Sequence, residues 1–232
     1  MTYTGQVRVG GPADTRDAGG LVITKIAVGP MSNNSYLLRC AATGEQALID
    51  AADDAPRLLE LIAAGARGDG TAGDGAAENG ELARVITTHR HHDHVQALAQ
   101  IVEATGAQTV AGEDDADDLP VPVDVRVRTG DRVPVGSSEL EVIGVVGHTP
   151  GSIVLAYHEP GGISHLFTGD SLFPGGVGHT STPEDFTALI NDVESRIFAR
   201  FGDDTWFYPG HGDDSTLGAE RASLPQWRAR GW

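Results

Sequence analysis

The chain reads as an α/β protein, a sandwich in which helices cover sheets. Short β-branched runs such as LVITKIAVG (21–29) and ARVITTH (83–89) recur along it, each of strand length and bounded by turn residues. Isolated stretches with apolar residues at helical spacing lie between them, the clearest being PEDFTALINDVESRIFARFG (183–202). Strands mixed with isolated helices build layered folds. At 232 residues the chain is long enough for one sizeable core, so a single domain over 1–232 is expected.

The elements follow in order. Residues 1–20 are rich in Gly and Asp and are expected to form a loose N-terminal arm. LVITKIAVG and SYLLRC are strands separated by the turn cluster PMSNNS, and ALIDAA is a short apolar run after them. DAPRLLELIAAGA carries Leu58, Leu59, Ile62 and Ala63 on one helical stripe. Residues 65–80, GARGDGTAGDGAAENG, are polar and of low complexity, as expected of a flexible surface insertion. ARVITTH is a strand, and a helix is expected from Asp93 or His94, with Val95, Leu98, Ile101 and Val102 inward and Gly106 at its C-terminal cap. QTVAG is a short strand, followed by an acidic loop and the strands in SELEVIGVVG, SIVLAYH and HLFTGD. The helix at 183–202 opens on Pro183 and turns Phe186, Leu189, Ile190, Val193, Ile197 and Phe198 inward. TWFYPG is the last strand.

Composition excludes several classes of function. The chain has 33 acidic and 16 basic residues, a net charge of −17, which repels phosphate backbones and argues against a nucleic-acid partner. No run reaches the length of a membrane span, and the first twenty residues lack the apolar core of a leader. Cys40 is the only cysteine, so no internal disulfide forms, and a cytoplasmic location is expected. Its setting is that of a small buried residue. Lys25 is the only lysine, a bias that either codon usage or salt adaptation produces. If self-repulsion matters, salt will screen it and stability will rise with moderate salt. A melting temperature unchanged between low and molar potassium chloride would leave codon bias as the account.

The densest chemistry is in TTHRHHDHVQAL (87–98), which packs four histidines and an aspartate into six positions. These residues lie in a strand-to-helix loop, where α/β proteins place function. In extended chain His89 and His91 point the same way and can share a metal ion, while Asp93 and His94 can aim at a second. Three further strand exits each deliver one potential ligand beside small residues: His148 in VVGHTPGS, Asp170 in HLFTGDSLF and His211 in WFYPGHGDD.

The motifs HRHHDH, GHTPGS, FTGD and PGHG, in this order, resemble the metallo-β-lactamase superfamily, and FTGDSLFPGGVG looks most like its glyoxalase II branch, the hydroxyacylglutathione hydrolases. The resemblance covers residues 21 to 212. It implies a four-layer αβ/βα sandwich and two metal sites. His89, His91 and His148 would bind one divalent ion, Asp93, His94 and His211 a second, and Asp170 both, with Asp93 and Asp170 as catalytic carboxylates and a bridging hydroxide as nucleophile. His92 falls at a variable position and is expected in solvent. His158 and His165 flank a hairpin at EPGG and are expected at the surface. His179, after GGVG, is a candidate substrate contact.

Two divalent ions, two carboxylates and one hydroxide leave the cluster about one positive charge, because the ions' own charge dominates such a site. That charge makes hydroxide available near neutral pH and polarises a carbonyl. Five imidazoles and two carboxylates with no thiolate suit zinc, with iron or manganese as alternatives. The expected substrate is a small-molecule thioester. A mononuclear iron persulfide dioxygenase and a lactone hydrolase of the same fold are the competing readings. The dioxygenase pattern after the aspartate, G-C-G-R-T-D, is replaced here by GGVGHT, with His179 where arginine is expected. Familiar glyoxalase II enzymes carry a helical C-terminal domain that helps hold glutathione; only 21 residues follow His211, so none is expected here and the thiol carrier stays open. The tail residues Trp227, Arg228, Arg230 and Trp232 either pack on the sandwich edge or meet an anionic substrate.

Overall fold

A computed structural model describes residues 2–67 and 80–231. Along the first half run β1 (Asp14–Asp17), β2 (Leu21–Val28), β3 (Asn33–Cys40), β4 (Gln46–Ile49), α1 (Ala55–Arg67), β5 (Leu82–Thr87), α2 (Leu98–Thr105), β6 (Gln108–Gly112) and β7 (Val125–Val127). The second half holds β8 (Arg132–Val135), β9 (Ser138–Gly144), β10 (Ile153–His158), β11 (Ser164–Gly169), β12 (Leu172–Phe173), β13 (Gly176–Val177), α3 (Pro183–Asp192), β14 (Trp206–Pro209), β15 (Ser215–Thr216), α4 (Leu217–Glu220) and α5 (Leu224–Arg230).

One sheet has the order β1-β2-β3-β4-β5-β6-β7 and the other β15-β14-β11-β10-β9-β8. The first is antiparallel from β1 to β4 and parallel from β4 to β7. In the second only β11 and β14 run parallel. Alternation along each strand assigns its side chains to two layers. Ile23, Leu38, Ile86, Leu155, Phe167 and Tyr208 meet between the sheets. Their neighbours Leu37, Leu48 and Val85 face outward against Leu58 and Ile62 of α1 and Leu98 and Ile101 of α2. On the far side Ile143, Val154, Leu166 and Phe207 pack under α3 and Trp227 of α5. The result is the four-layer helix–sheet–sheet–helix sandwich, and fully burying each large apolar side chain contributes roughly 1.5–3 kcal/mol.

Pro183 stands in the first turn of α3, and the Thr182 side chain caps it by accepting from the Asp185 N–H at 3.1 Å. Phe186, Leu189 and Ile190 are buried as the periodicity requires. Val193, Ile197 and Phe198 are buried too, but on a wider π-helical turn that continues the helix over Val193–Phe198. Gly106 closes α2 in the left-handed conformation at φ 68°.

Four expectations need correction. The N-terminal arm is not loose: β1 pairs with β2, and Asp14 accepts from the backbone N–H groups of Thr4 and Gly5 at 2.8 and 2.9 Å. Composition missed a tether from inside the sandwich. Lys25, fully buried on the inner face of β2, donates to the Gly5 carbonyl at 2.7 Å, the Gly212 carbonyl at 2.8 Å and Asp214 at 2.6 Å. A tetrahedral ammonium satisfies three converging acceptors where a planar guanidinium would not, which explains a lone lysine in an arginine-rich chain. Residues 65–67 of the expected insertion belong to α1; residues 68–79 lie outside the described residues. The helix expected from Asp93 begins only at Leu98, after a separate 3₁₀ turn over His92–His94. His165 is not at the surface: it is fully buried, 2.8 Å from the Tyr208 hydroxyl, because the inward alternation of β11 places it there. His158, one strand away, is exposed.

Candidate metal centre

The strand exits converge on one edge of the sandwich. His89 follows β5, His148 follows β9, Asp170 follows β11, and His211 follows β14. The 3₁₀ turn over His92–His94 is closed by the His94 N–H donating to the His91 carbonyl at 3.0 Å. It brings Asp93 and His94 back towards the other exits. Within 4.8 Å of one another lie the ligand atoms of three groups: His89, His91 and His148; His89, His94 and Asp170; and Asp93, His94 and His211. All seven residues singled out by their sequence pattern are therefore brought together. His92 is exposed beside them.

Hydrogen bonds on the outer side of each ring fix its orientation. His94 Nδ1 faces Asp50 Oδ2 at 2.9 Å, His148 Nδ1 the His179 carbonyl at 2.7 Å, and His211 Nδ1 the Met31 carbonyl at 3.1 Å. A carboxylate and two carbonyls only accept, so each Nδ1 must donate. His89 obeys the same logic through a relay. Its Nδ1 lies 3.0 Å from Thr88 Oγ1, whose own hydrogen goes to Asp50 Oδ2 at 2.7 Å. The four Nε2 atoms are thus left to face the interior, the outer-shell pattern of imidazoles that bind metal.

Asp170 is placed between the groups. Its Oδ1 lies 3.4 Å from His94 Nε2, and its Oδ2 lies 3.6 Å from His211 Nε2 and 3.7 Å from His148 Nε2. Asp93 Oδ2 accepts from Asn33 Nδ2 at 2.8 Å and lies 3.3 Å from His211 Nε2. Gly210 permits this approach. A Cβ there would stand 2.1 Å from Asp170 Oδ1 and 2.6 Å from His94 Cε1.

The residues fit a bound cation. His94 Nε2 and Asp170 Oδ1 are buried and neither makes a hydrogen bond, a costly state for polar atoms that a metal ion relieves. His89 Nε2 and His148 Nε2 lie 3.3 Å apart. Burial holds the imidazoles of His89, His91 and His148 below their ordinary pKa, which keeps them neutral and able to offer lone pairs. Burial also acts on His94, but Asp170 and Asp50 on either side outweigh it and push that group up to about 10. The position favours positive charge, which an ion supplies equally well. Asp93 and Asp170 are pulled below the usual carboxylate range despite burial, Asp93 by the Asn33 hydrogen bond and His94, and Asp170 by the surrounding imidazoles, His94 first.

Two cavities flank the cluster. One of about 530 Å³ is lined by His91, His148, Val146 and Ser181. The other, of about 350 Å³, is lined by Phe173, His179 and Arg230. The His179 side chain is exposed, and it is its carbonyl that holds His148. In the tail, Trp227 is buried against Phe198 and Arg228 pairs with Glu194 at 2.7 Å; Trp232 lies outside the described residues. Asp50, Asn33 and Thr88 escaped the sequence pattern. Asp50 carried a usable signal, since ALID ends a strand on an acid as FTGD does. Asn33 lay hidden in a polar cluster that reads as a turn but opens β3.

Among the described residues no helix is long and apolar enough to cross a membrane. A family model described as the Metallo-beta-lactamase superfamily matches residues 28–211. A curated relative named hydroxyacylglutathione hydrolase, from Fuscovulum blasticum, is 40% identical over 163 residues, which cover 69% of this chain and 57% of the relative. The chain therefore spans little more than half the length of that relative. Among solved structures, ETHE1 from Myxococcus xanthus is similar at 26% identity with a TM-score of 0.73, covering 89% of this chain and 84% of that one. A structure described as TTHA1623 in a di-iron-bound form is similar at 27% identity with a TM-score of 0.66, covering 87% of this chain and 98% of that one.

Proposed function

We propose that this chain, which belongs to the metallo-beta-lactamase superfamily, hydrolyses small-thiol thioesters at a centre of two divalent metal ions. His89, His91 and His148 would hold one ion, Asp93, His94 and His211 the other, and Asp170 would serve both. The observation that carries this reading is the position of Asp170, whose two oxygens face His94 on one side and His148 and His211 on the other. When bound, such a pair supplies an activated water near neutral pH and polarises the carbonyl it attacks.

The chain's own residues orient and confine. Asp50 and the carbonyls of His179 and Met31 lock the ring tautomers. Asn33 holds Asp93 at its Oδ2. No serine or cysteine nucleophile is needed, and Cys40 is buried far along β3 from its site-facing end at Asn33. The open face between the two cavities would admit the substrate, with His179 at its rim as the proposed substrate contact. Zinc is the proposed metal, with iron or manganese alternatives, and the curated relative's name favours a thioester of a low-molecular-weight thiol. A cytoplasmic location and the absence of a nucleic-acid partner, given the net charge of −17, belong to the same proposal.

Elemental analysis after gentle purification and reconstitution is expected to find two metal equivalents per chain. Turnover on a panel of thioester, lactone and persulfide substrates is expected to be greatest on the thioester. One equivalent of iron together with persulfide oxidation would replace this reading with the mononuclear dioxygenase.

A further inference from the structure

The acidic loop after β6 holds a carboxylate that sequence reading passed over. Asp115 is buried, with 1% of its surface exposed, and pairs with the Arg90 guanidinium, whose Nε stands 3.6 Å from Oδ1. Three hydrogen bonds add to that pair. Asp115 Oδ2 accepts from the Arg90 N–H at 3.0 Å and from Thr149 Oγ1 at 2.6 Å, and Oδ1 accepts from the Gly151 N–H at 2.8 Å. Arg90 immediately precedes His91, and Thr149 immediately follows His148. One side chain thus ties together two loops, from different sheets, that each deliver a ligand of the same three-histidine group. The Asp115 loop also lies close against the His148 loop by backbone, since a Cβ on Gly151 would lie 2.3 Å from the Asp115 nitrogen.

We propose that Asp115 is a positioning residue that sets the spacing of His91 against His148, and so the metal affinity of the three-histidine site without that of its neighbour. This rests on the metal-centre reading above. The second group is supported by Asn33, the Met31 carbonyl and Asp50, the last of which also reaches His89 through Thr88; Asp115 bonds instead to Arg90, Thr149 and Gly151. Asp115→Asn is the informative change. An amide nitrogen in place of Oδ2 faces the Arg90 N–H, and in place of Oδ1 it faces the Gly151 N–H. Either way one backbone tie is lost while the shape of the side chain stays.

The test measures zinc affinity of the full chain by chelator competition in two backgrounds. His211→Ala leaves the three-histidine group intact, and His148→Ala leaves the second group. Adding Asp115→Asn is expected to weaken binding by about tenfold or more in the His211→Ala background and by less than about threefold in the other, the range known for outer-shell partners. Thr149→Val removes the hydroxyl's bonds to Asp115 and to Ser152 at nearly constant volume, and leaves both backbone ties of Asp115 in place. It is expected to produce the same selectivity with a smaller loss, and it carries the test if Asp115→Asn does not fold. Equal losses in both backgrounds would overturn the proposal in favour of a general structural role, and no loss in either would overturn it outright. Failure of both backgrounds to bind zinc would overturn the metal-centre reading and this inference with it.

Discussion

Asp170→Ala is expected to abolish hydrolysis and strip at least one metal ion while leaving the fold intact. The change removes a negative charge from between the two groups and takes one ligand from each. Mutual repulsion of two cations then rises as their coordination falls. Turnover is expected to drop by several orders of magnitude, about the scale on which metal-assisted catalysis fails. The sheets survive because Asp170 stands at a strand exit, beyond the core formed by Ile86, Leu155, Phe167 and Tyr208. His92→Ala is the companion control. That side chain is exposed beside the cluster, and turnover is expected to change by less than about threefold, roughly a surface effect. Metal content, circular dichroism and thioester turnover on both variants check the pair; a metallated, active Asp170→Ala protein would refute the bridging role.

Gly210→Ala is expected to damage turnover through geometry alone, by less than Asp170→Ala. The added Cβ would fall 2.1 Å from Asp170 Oδ1 and 2.6 Å from His94 Cε1, distances that real contacts do not reach. Asp170 can swing aside, but His94 is held by Asp50 at 2.9 Å and cannot follow. The two residues must separate, and misplacing a reacting group by about 1 Å costs on the order of 10²-fold in rate. Gly130→Ala supplies the contrast. Its φ is +95° with nothing within 4 Å of the added carbon, so the backbone strain of about 1–2 kcal/mol is expected to lower the melting temperature without changing metal content. A Gly210→Ala protein with full metal and full turnover would show that Asp170 and His94 need not be held this closely.

The inner layer of the site is legible in the sequence because His89, His148, Asp170 and His211 each stand at a strand exit beside small residues, and His91, Asp93 and His94 follow His89 within five positions. That pattern is local, and local patterns survive translation from sequence to structure. The outer layer was not legible for the opposite reason. Asp50 touches Thr88 and His94, and Asn33 touches Asp93 from the start of β3; neither residue's sequence neighbourhood announces which partners it meets. The N-terminal arm failed similarly. Its composition is that of a loose segment, yet one buried ammonium at Lys25 joins Gly5 to Gly212 across the sandwich. His165 was misplaced because a polar residue next to a hairpin reads as exposed, whereas its inward parity on β11 and the Tyr208 hydroxyl make burial affordable. The start of α2 lies later than its apolar spacing suggests because that spacing begins at Val95, within a turn over residues 95–97 that separates the 3₁₀ turn from α2.

In the proposed centre Asp170 would serve two ions at once. Anomalous diffraction from crystals of the zinc-loaded protein tests it most directly. Two anomalous peaks are expected, one among His89, His91 and His148 and one among Asp93, His94 and His211, with an Asp170 oxygen about 2.0–2.2 Å from each, the usual zinc–carboxylate distance. A single peak, or two peaks of which Asp170 touches only one, would contradict it.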